Sequence, residues 1–270
     1  MPKLGFIGYG NMARMLIDGF LAAGACVPQD IVVSTRSPEK LPALLARHPG
    51  ITAAEDNRRT ALSASQLFLC VKPMEIKGVL EGLRGAVRPL THVVSIAACA
   101  NLAYLNRIAP GKYTRVIPTL ASAMGGGVTL MCHGAGVTAV EAESVTALFD
   151  TISRVQLLPE KDFEAGADLT SCAPALIAAI FREFTEAGLR HSDIPRADAE
   201  RMVIETLYGA AKLLALGGVG FGEMIASVAT KGGISEEGVR CLEAELPAVF
   251  DNVFAATLGK HEMVKRILAG

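Results

Sequence analysis

The chain carries, at residues 4–13, the run Leu4-Gly5-Phe6-Ile7-Gly8-Tyr9-Gly10-Asn11-Met12-Ala13. Its first four residues read as a short strand, and apolar side chains then recur at helical spacing. The pattern Gly8-x-Gly10-x-x-Ala13 joins the two elements. Gly8 permits a tight turn, Gly10 lets a pyrophosphate approach the backbone, and Ala13 lets helix and strand pack closely. The run therefore predicts a dinucleotide-binding turn, with the pyrophosphate on the first amides of the helix.

The end of the second predicted strand indicates which dinucleotide binds. It reads Val33-Ser34-Thr35-Arg36-Ser37, whereas sites for NAD usually place Asp or Glu here to bind the ribose hydroxyls. Small hydroxyl residues leave room for a 2′-phosphate, which Arg36 can bind through charge-assisted hydrogen bonds. The alternative is that Arg36 is an ordinary solvated surface residue. The pattern favours NADP(H) as the cofactor, with Ser34 and Arg36 in its site.

Short apolar runs alternate with helical patterns through the first 160 residues. A helix begins at Pro38, because Ser37 before it is a good N-cap and proline is favoured at the first helical position. The alternation predicts an α/β Rossmann domain, with a doubly wound and mostly parallel sheet, over residues 1–160. The predicted strands are residues 4–7, 31–34, 51–53, 66–71, 93–98, 114–117, 128–133 and 153–159.

Strand patterns stop after about residue 160, and residues 161–270 are predicted to form an all-α domain for substrate binding and dimerisation. The predicted helical stretches are residues 165–187, 195–216, 220–229 and 235–268. The helix around residues 202–216 is apolar nearly all the way round, which indicates burial against something larger than this domain. We therefore expect a homodimer or a larger homo-oligomer.

Composition restricts the class of protein. The chain has 270 residues, 51% of them hydrophobic, and a formal net charge of −1. That charge gives no electrostatic reason to expect nucleic acid or an anionic membrane as a partner, and no apolar run approaches the roughly 20 residues that span a bilayer. The six cysteines form no C-x-x-C pair, so we expect reduced, buried thiols, no metal site and a cytoplasmic protein.

Short motifs recur along the chain in the order of one known family. In the first half they are the Gly-Asn-Met-Ala turn, the Thr35–Leu41 segment and Val71-Lys72-Pro73. In chain order they continue with Val94-Ser95-Ile96-Ala97-Ala98, Arg115-Val116-Ile117-Pro118, Pro174-Ala175, Gly209-Ala210-Ala211-Lys212 and Lys231-Gly232-Gly233. Through these motifs the chain resembles, across essentially its whole length, the pyrroline-5-carboxylate reductase family.

The resemblance implies NADPH-dependent reduction of a cyclic imine, 1-pyrroline-5-carboxylate, to L-proline, which is a step of proline biosynthesis. It also implies a helical domain that forms the dimer, and no catalytic histidine. Protein groups then position the nicotinamide against the imine carbon and hold the substrate carboxylate. The expected cofactor-binding residues are Gly8, Gly10, Asn11, Met12, Ala13, Ser34, Arg36, Val71, Lys72, Pro73, Ala97 and Ala98.

The substrate-side motifs depart from the family pattern. Thr119 replaces the usual asparagine near the nicotinamide, and Cys172 lies in an altered Ser-Gly-Ser-Gly-Pro-Ala-Tyr run. The Ser-Pro-Gly-Gly-Thr-Thr turn becomes residues 230–235, in which Ser235 keeps a hydroxyl at the position where the family places the group that hydrogen-bonds the imine nitrogen. Ser235 is therefore the expected catalytic residue, and the expected substrate-binding residues are Thr119, Lys231, Gly232, Gly233 and Ile234.

Three other functions remain open at this point. The chain could reduce a different cyclic imine acid, or it could be a catalytically weak regulatory paralogue that still binds NADP. A β-hydroxyacid dehydrogenase shares the same domain plan and could recruit Lys212 as its acid/base. In each case the cofactor half is intact and the identity of the hydride acceptor is open.

Overall fold

The computed structural model describes residues 3–269. The first part of the chain forms one sheet of eight strands in the order β3-β2-β1-β4-β5-β6-β7-β8. The strands are β1 (Leu4–Ile7), β2 (Ile31–Ser34), β3 (Thr52–Ala53), β4 (Gln66–Leu69), β5 (His92–Ser95), β6 (Lys112–Ile117), β7 (Val128–His133) and β8 (Arg154–Leu157).

Strands β1 to β6 are parallel to one another. β7 runs antiparallel to β6, and β8 runs parallel to β7. The predicted doubly wound, mostly parallel sheet is therefore confirmed. The helices of this region are α1 (Asn11–Ala22), α2 (Leu41–Arg47), α3 (Asn57–Ser63), α4 (Ile76–Gly82), α5 (Leu102–Ile108), α6 (Ala139–Asp150) and α7 (Phe163–Thr170).

Helices follow in the rest of the described chain, as predicted: α8 (Ala173–Arg190), α9 (Arg196–Leu216), α10 (Phe221–Val228) and α11 (Ile234–Ala269). The prediction of one helix over residues 165–187 was wrong, because the helix is interrupted at Ser171 and Cys172. Pro174 lies in the first turn of α8, where its missing N–H is tolerated, whereas inside a continuous helix its ring would clash with the carbonyl of Thr170.

By compactness the chain divides into two units. The first comprises Met1–Pro174 with Leu258–Gly270, and the second comprises Ala175–Thr257. This division differs from the predicted domain boundary at residue 160, because it groups α7 and the last turns of α11 with the sheet. Compactness does not test where one domain ends and the next begins, so the boundary stays a prediction. Leu268 in those turns is buried in the same apolar cluster as Tyr104 and Leu105 of α5.

The core of the first unit lies on both faces of the sheet, in two apolar clusters. On one face Phe6 and Phe68 stack with ring centroids 4.6 Å apart, and Phe20 meets Phe149 edge-on at 5.3 Å. Strands β1, β2, β4 and β5 are buried along their whole lengths. This burial on both faces explains their continuous apolar runs.

Helix composition gives one feature that bears on membranes. The helical stretch Glu160–Arg190 is long and apolar enough, by length and composition alone, to cross a bilayer. The core helix of a soluble protein passes the same test, so this stretch is weak support for a membrane span. It also contains the helix break at Ser171 and Cys172.

The buried His92 and the half-buried His133 make stability depend on pH. His92 Nε2 lies 2.7 Å from the Thr114 hydroxyl, which lies 2.9 Å from His133 Nδ1. Burial lowers the pKa of His92 to about 4, and it also lowers the pKa of His133. Both rings are therefore neutral in the folded protein at pH 7.

We expect the free energy of unfolding to fall by about 2 kcal/mol between pH 7 and pH 5 through His92 alone. The unfolded chain binds a proton at the ordinary pKa of 6.5, whereas the folded chain takes it up only near pH 4. Stability is thus full above pH 6.5 and is lost as the pH falls. Urea unfolding at both pH values should show a smaller loss in His92→Gln than in the wild type, and an unchanged loss in the exposed-site control His191→Gln. An equal pH dependence in all three proteins would contradict the assignment.

Candidate active site

Five strand ends place most of the predicted site residues at one edge of the sheet. The neighbouring strands β2, β1, β4, β5 and β6 are all parallel, so their carboxyl ends meet at the same edge. The residues at or just past those ends are Ser34, Gly8, Val71, Ala97 and Thr119, in that order. The strand order reverses between β1 and β4, which is where open α/β sheets bind their ligands.

The glycine turn has the backbone that the sequence pattern predicts. The Gly8 N–H donates to Ser34 O at 2.8 Å, and Gly8 has a φ of +95°. A Cβ atom on Gly8 would lie 2.6 Å from the Cys70 carbonyl oxygen, whereas one on Gly10 would meet no protein atom within 4 Å. Gly8 is therefore required by the fold, and the space at Gly10 is left open on the ligand side.

Helix α1 begins immediately after this turn. Gly10 is its N-cap and has no side chain to accept hydrogen bonds from the first turn, so the amides of Asn11 and Met12 lack a side-chain partner at the helix start. Asn11 is exposed, Met12 is half-buried against the core, and Ala13 is 1% exposed. The buried Ala13 permits the close packing of helix and strand that the fingerprint requires.

The end of β2 supplies the polar side of the cleft. Ser34 is buried, and its hydroxyl donates to Asn57 Oδ1 at 2.8 Å. Arg36 is 86% exposed at its side chain and forms an ion pair with Glu75 at 2.7 Å. The cleft that begins at Gly8 and Gly10 is lined here by Thr35, Arg36, Ser37, Lys40 and Asn57.

The loops after β4 and β5 form the rest of this edge. β4 ends at Leu69 rather than at the predicted residue 71, so Val71 and Lys72 are free to line the cleft, and Pro73 begins a short 3₁₀ turn, Pro73–Glu75. The predicted strand over residues 93–98 was also too long, since β5 ends at Ser95. Ala97 and Ala98 lie in the loop after it, where Cys99 adopts a φ of +67° that a strand cannot hold.

This arrangement fits a dinucleotide. The open space at Gly10, the first turn of α1 without a side-chain cap, and the cations Arg36, Lys40 and Lys72 around one cleft suit the negative charge of a pyrophosphate. Asn11, Ser34 and Pro73 are chain neighbours of residues that line the cleft, and Met12 and Ala13 follow in the first turn of α1. Ala97 and Ala98 are not among the lining residues; they lie in the loop after β5, at the same edge of the sheet. The assignment of individual cofactor contacts stays a prediction.

Thr119 follows β6 and is 1% exposed. Its hydroxyl accepts from the Ala121 N–H at 3.4 Å and so caps the 3₁₀ turn Leu120–Met124. A hydroxyl used in this way holds the backbone after β6 in place. Thr119 therefore has a structural role in capping this turn, and its role in substrate binding stays a prediction.

The predicted substrate turn belongs to the second unit. Gly233 N–H donates to Thr230 O at 2.8 Å, Gly232 has a φ of +77°, and α11 begins directly after them. Gly232 N–H donates to Glu236 Oε2 at 2.6 Å. Lys231, Ile234 and Ser235 are exposed, Ile234 to 95%. The turn thus keeps its glycine geometry, but one of its amides already has a carboxylate partner.

Lys212 and Cys172, which the sequence singled out, have ordinary surroundings. Lys212 is exposed on α9, with its Nζ 5.0 Å from the centroid of the Tyr208 ring. Cys172 lies half-buried in the break between α7 and α8, and its N–H donates to Ala167 O at 2.9 Å. Among the described cysteines, the expectation of burial was wrong for Cys241, which is exposed on α11.

Sequence reasoning did not assign Lys40, Asn57 or Glu75 to the site. Asn57 begins α3 and reaches the cleft because β2 and the preceding loop bring it beside Ser34. Glu75 reaches it because the 3₁₀ turn after Lys72 folds back. Of the three, only Lys40 could have been assigned from the sequence, since it lies four residues after Arg36 within the Thr35–Leu41 segment that resembles the family. The other two positions depend on tertiary contacts between distant parts of the chain.

The fold and the glycine turn define a protein with a Rossmann dinucleotide-binding domain. Residues 3–99 match the family model described as NADP oxidoreductase, coenzyme F420-dependent, and residues 160–263 match the model described as pyrroline-5-carboxylate reductase dimerisation. The cofactor class is therefore NAD(P)H. The second match assigns the helical part of the chain to a dimerisation domain.

Relatives over the whole length settle the family. The chain is 34% identical to pyrroline-5-carboxylate reductase 3 of Bacillus subtilis (strain 168), over 98% of this chain and 97% of the relative. It is 30% identical to pyrroline-5-carboxylate reductase of Escherichia coli (strain K12), over 89% of this chain and 90% of the relative. The structure of a pyrroline-5-carboxylate reductase from Coxiella burnetii superposes on the chain with a TM-score of 0.89 at 26% sequence identity. The superposition covers 97% of this chain and 98% of that one. The chain belongs to the pyrroline-5-carboxylate reductase family.

Proposed function

We propose that the protein reduces the C=N bond of 1-pyrroline-5-carboxylate with NAD(P)H and releases L-proline. The observation that carries the proposal is the convergence of the glycine turn and the four neighbouring strand ends on one edge of the sheet, in a chain similar along its length to reductases of this substrate. NAD(P)H, when bound, supplies the hydride. The protein groups bind, orient and hydrogen-bond the two ligands.

The chemistry needs little from side chains beyond positioning. An imine nitrogen takes up a proton readily, and the resulting cation accepts a hydride without a strong general acid. The turn 230–235 offers backbone amides and the α11 helix start to the substrate carboxylate. The Ser235 hydroxyl is the group we assign to the imine nitrogen, and Gly233 leaves room for close approach of the carboxylate.

Replacement of Ser235 by alanine tests this assignment. We expect kcat/KM for 1-pyrroline-5-carboxylate to fall about tenfold, because one hydrogen bond to the reacting group is worth about 1–2 kcal/mol. The Kd for NADPH should not change. Ser235→Thr should restore most of the activity, and Ser227→Ala, which removes a hydroxyl bonded only to the Met224 carbonyl, should change nothing. Full activity in Ser235→Ala would refute the role.

A second candidate is the reduction of a different cyclic imine acid. The observation that favours it is Glu236, which accepts the Gly232 N–H, so that this amide is taken and a substrate whose carboxylate is placed differently on the ring fits the turn better. NADPH consumption with a panel of five- and six-membered cyclic imine acids separates the two candidates, since turnover confined to 1-pyrroline-5-carboxylate removes the second. If NADPH binds but none of the imines is reduced, the chain is a regulatory paralogue.

We infer that the active form is a homodimer, or a larger assembly built from it. Helix α9 has no fully buried residue in the single chain, and Ile204, Tyr208 and Leu213 are each more than half exposed. Apolar side chains left exposed on more than one side of a helix are expected to be covered by a second copy. Light scattering at micromolar concentration should give at least twice the chain mass. The free thiols favour the cytoplasm as the compartment.

A further inference from the structure

The outer end of the cofactor cleft holds a carboxylate among its cations. Arg36 Nη2 lies 2.7 Å from Glu75 Oε1, and both residues line the cleft together with Lys40 and Lys72. Arg36 is the residue to which the sequence assigns the 2′-phosphate. Its guanidinium is therefore already paired with an anion in the place where that phosphate would bind.

Of the two partners, Glu75 is the fixed one. Its Oε2 accepts the backbone N–H of Lys72 at 3.2 Å, which closes the 3₁₀ turn that Glu75 ends. The Glu75 side chain is 30% exposed, whereas that of Arg36 is 86% exposed. The carboxylate is thus held by the backbone, and the long arginine side chain reaches it from β2 across open space.

We propose that Glu75 sets the cofactor preference of this chain, because it withholds Arg36 from a 2′-phosphate and offers a carboxylate to the 2′-hydroxyl of NAD(H). In NAD sites a carboxylate at the end of β2 commonly takes that hydroxyl. Here β2 ends in hydroxyl residues and Arg36, and the carboxylate comes instead from the turn after β4. The inference rests on the proposed use of NAD(P)H and concerns only which form is preferred.

The charges around the cleft predict a weak preference rather than an absolute one. Arg36, Lys40 and Lys72 are the cationic residues that line it, Glu75 is the acidic one, and Asn57 is neutral and bonded to Ser34. A 2′-phosphate gains from the three cations but lies beside the Glu75 carboxylate, and like charges in proximity oppose binding. NADH loses the phosphate contacts but avoids that repulsion. The chain is therefore expected to bind both forms.

Glu75→Gln is the matched test, since the amide keeps an oxygen for the Lys72 N–H and removes only the charge. Titrations that follow the fluorescence of NADPH and of NADH give the Kd of each form without turnover. We expect Glu75→Gln to tighten NADPH binding about tenfold and to weaken NADH binding, while Arg36→Gln weakens NADPH alone. The control is Glu39→Gln, which removes the same charge from the exposed turn after β2 and does not line the cleft.

Three results would overturn the inference. The first is an unchanged ratio of the two Kd values in Glu75→Gln, and the second is an equal change in Glu39→Gln, which would indicate only a long-range charge effect. The third is a wild type that binds neither form. The proposed function fails on a different measurement: if the wild type binds NADPH and Glu75→Gln shifts the ratio, but 1-pyrroline-5-carboxylate is not reduced, the inference stands and the substrate assignment falls.

Discussion

Arg115→Met is expected to lower the free energy of unfolding of the first unit by about 3–5 kcal/mol. Arg115 is 2% exposed on β6, with Nη1 2.9 Å from Glu160 Oε1 and Nη2 3.4 Å from Glu164 Oε1. Its guanidinium also lies 4.7 Å from the centroid of the Phe163 ring. Methionine fills much of the volume but leaves the buried Glu164 carboxylate with only Lys265, at 3.2 Å, as a cationic partner.

Urea unfolding at a fixed protein concentration measures this effect, and two variants calibrate it. Arg115→Lys keeps the charge but cannot reach both carboxylates with a planar fork, so it should lose an intermediate amount. Arg47→Met breaks a more exposed pair with Asp18, whose side chains are 45% and 34% exposed, and should cost less than about 1 kcal/mol. Equal losses in Arg115→Met and Arg47→Met would contradict the structural role of Arg115.

Gly10→Val is expected to weaken NADPH binding by at least about 100-fold with little loss of stability. Gly10 has an extended backbone, with φ −99° and ψ −171°, that valine adopts readily. A Cβ at Gly10 meets no protein atom within 4 Å, so the added methyl groups occupy only the space that the pyrophosphate needs. As an N-cap, valine costs up to about 1 kcal/mol relative to glycine.

The neighbouring glycine distinguishes this effect from damage to the fold. Gly8→Ala should lose both stability and binding, because its Cβ would lie 2.6 Å from the Cys70 carbonyl oxygen at a φ of +95°. Gly78→Val on α4, where a Cβ also meets nothing, should leave binding intact. Thermal unfolding and a fluorescence titration are measured on all three. Tight NADPH binding by Gly10→Val would exclude the predicted place of the pyrophosphate.

The sequence predicts the type of the secondary-structure elements better than it predicts where the strands end. Strands β1, β2 and β7 and the existence of every helical region were predictable, because buried parallel strands and amphipathic helices leave period-specific apolar patterns. Strand ends were less predictable: β4 and β5 stop before their apolar runs do. The runs continue because Val71 and Ala97 stay partly or fully buried in loops that follow the strands.

The cofactor site shows the same division. The position of Gly8, Gly10 and Arg36 at the cleft could be predicted from the sequence, since it depends on local backbone and on distance from a strand end; their contacts with the cofactor stay a prediction. Asn57 and Glu75 could not, because they reach the cleft through contacts with Ser34 and Arg36 over 23 and 39 residues. Nothing in their local sequence distinguishes them from ordinary surface residues.

By itself, the sequence determined the Rossmann class, the dinucleotide turn and the family, since each depends on residues close together in the chain or matched along its whole length. Tertiary structure alone decided the strand order that brings five loops to one edge, the antiparallel turn into β7, the burial of Arg115 and the ion pair of Arg36 with Glu75. The reason is that a charge or a strand end acquires its surroundings only from residues distant in the chain. The proposed preference between NADP(H) and NAD(H), which the end of β2 alone assigned to Arg36, accordingly involves both Arg36 and Glu75.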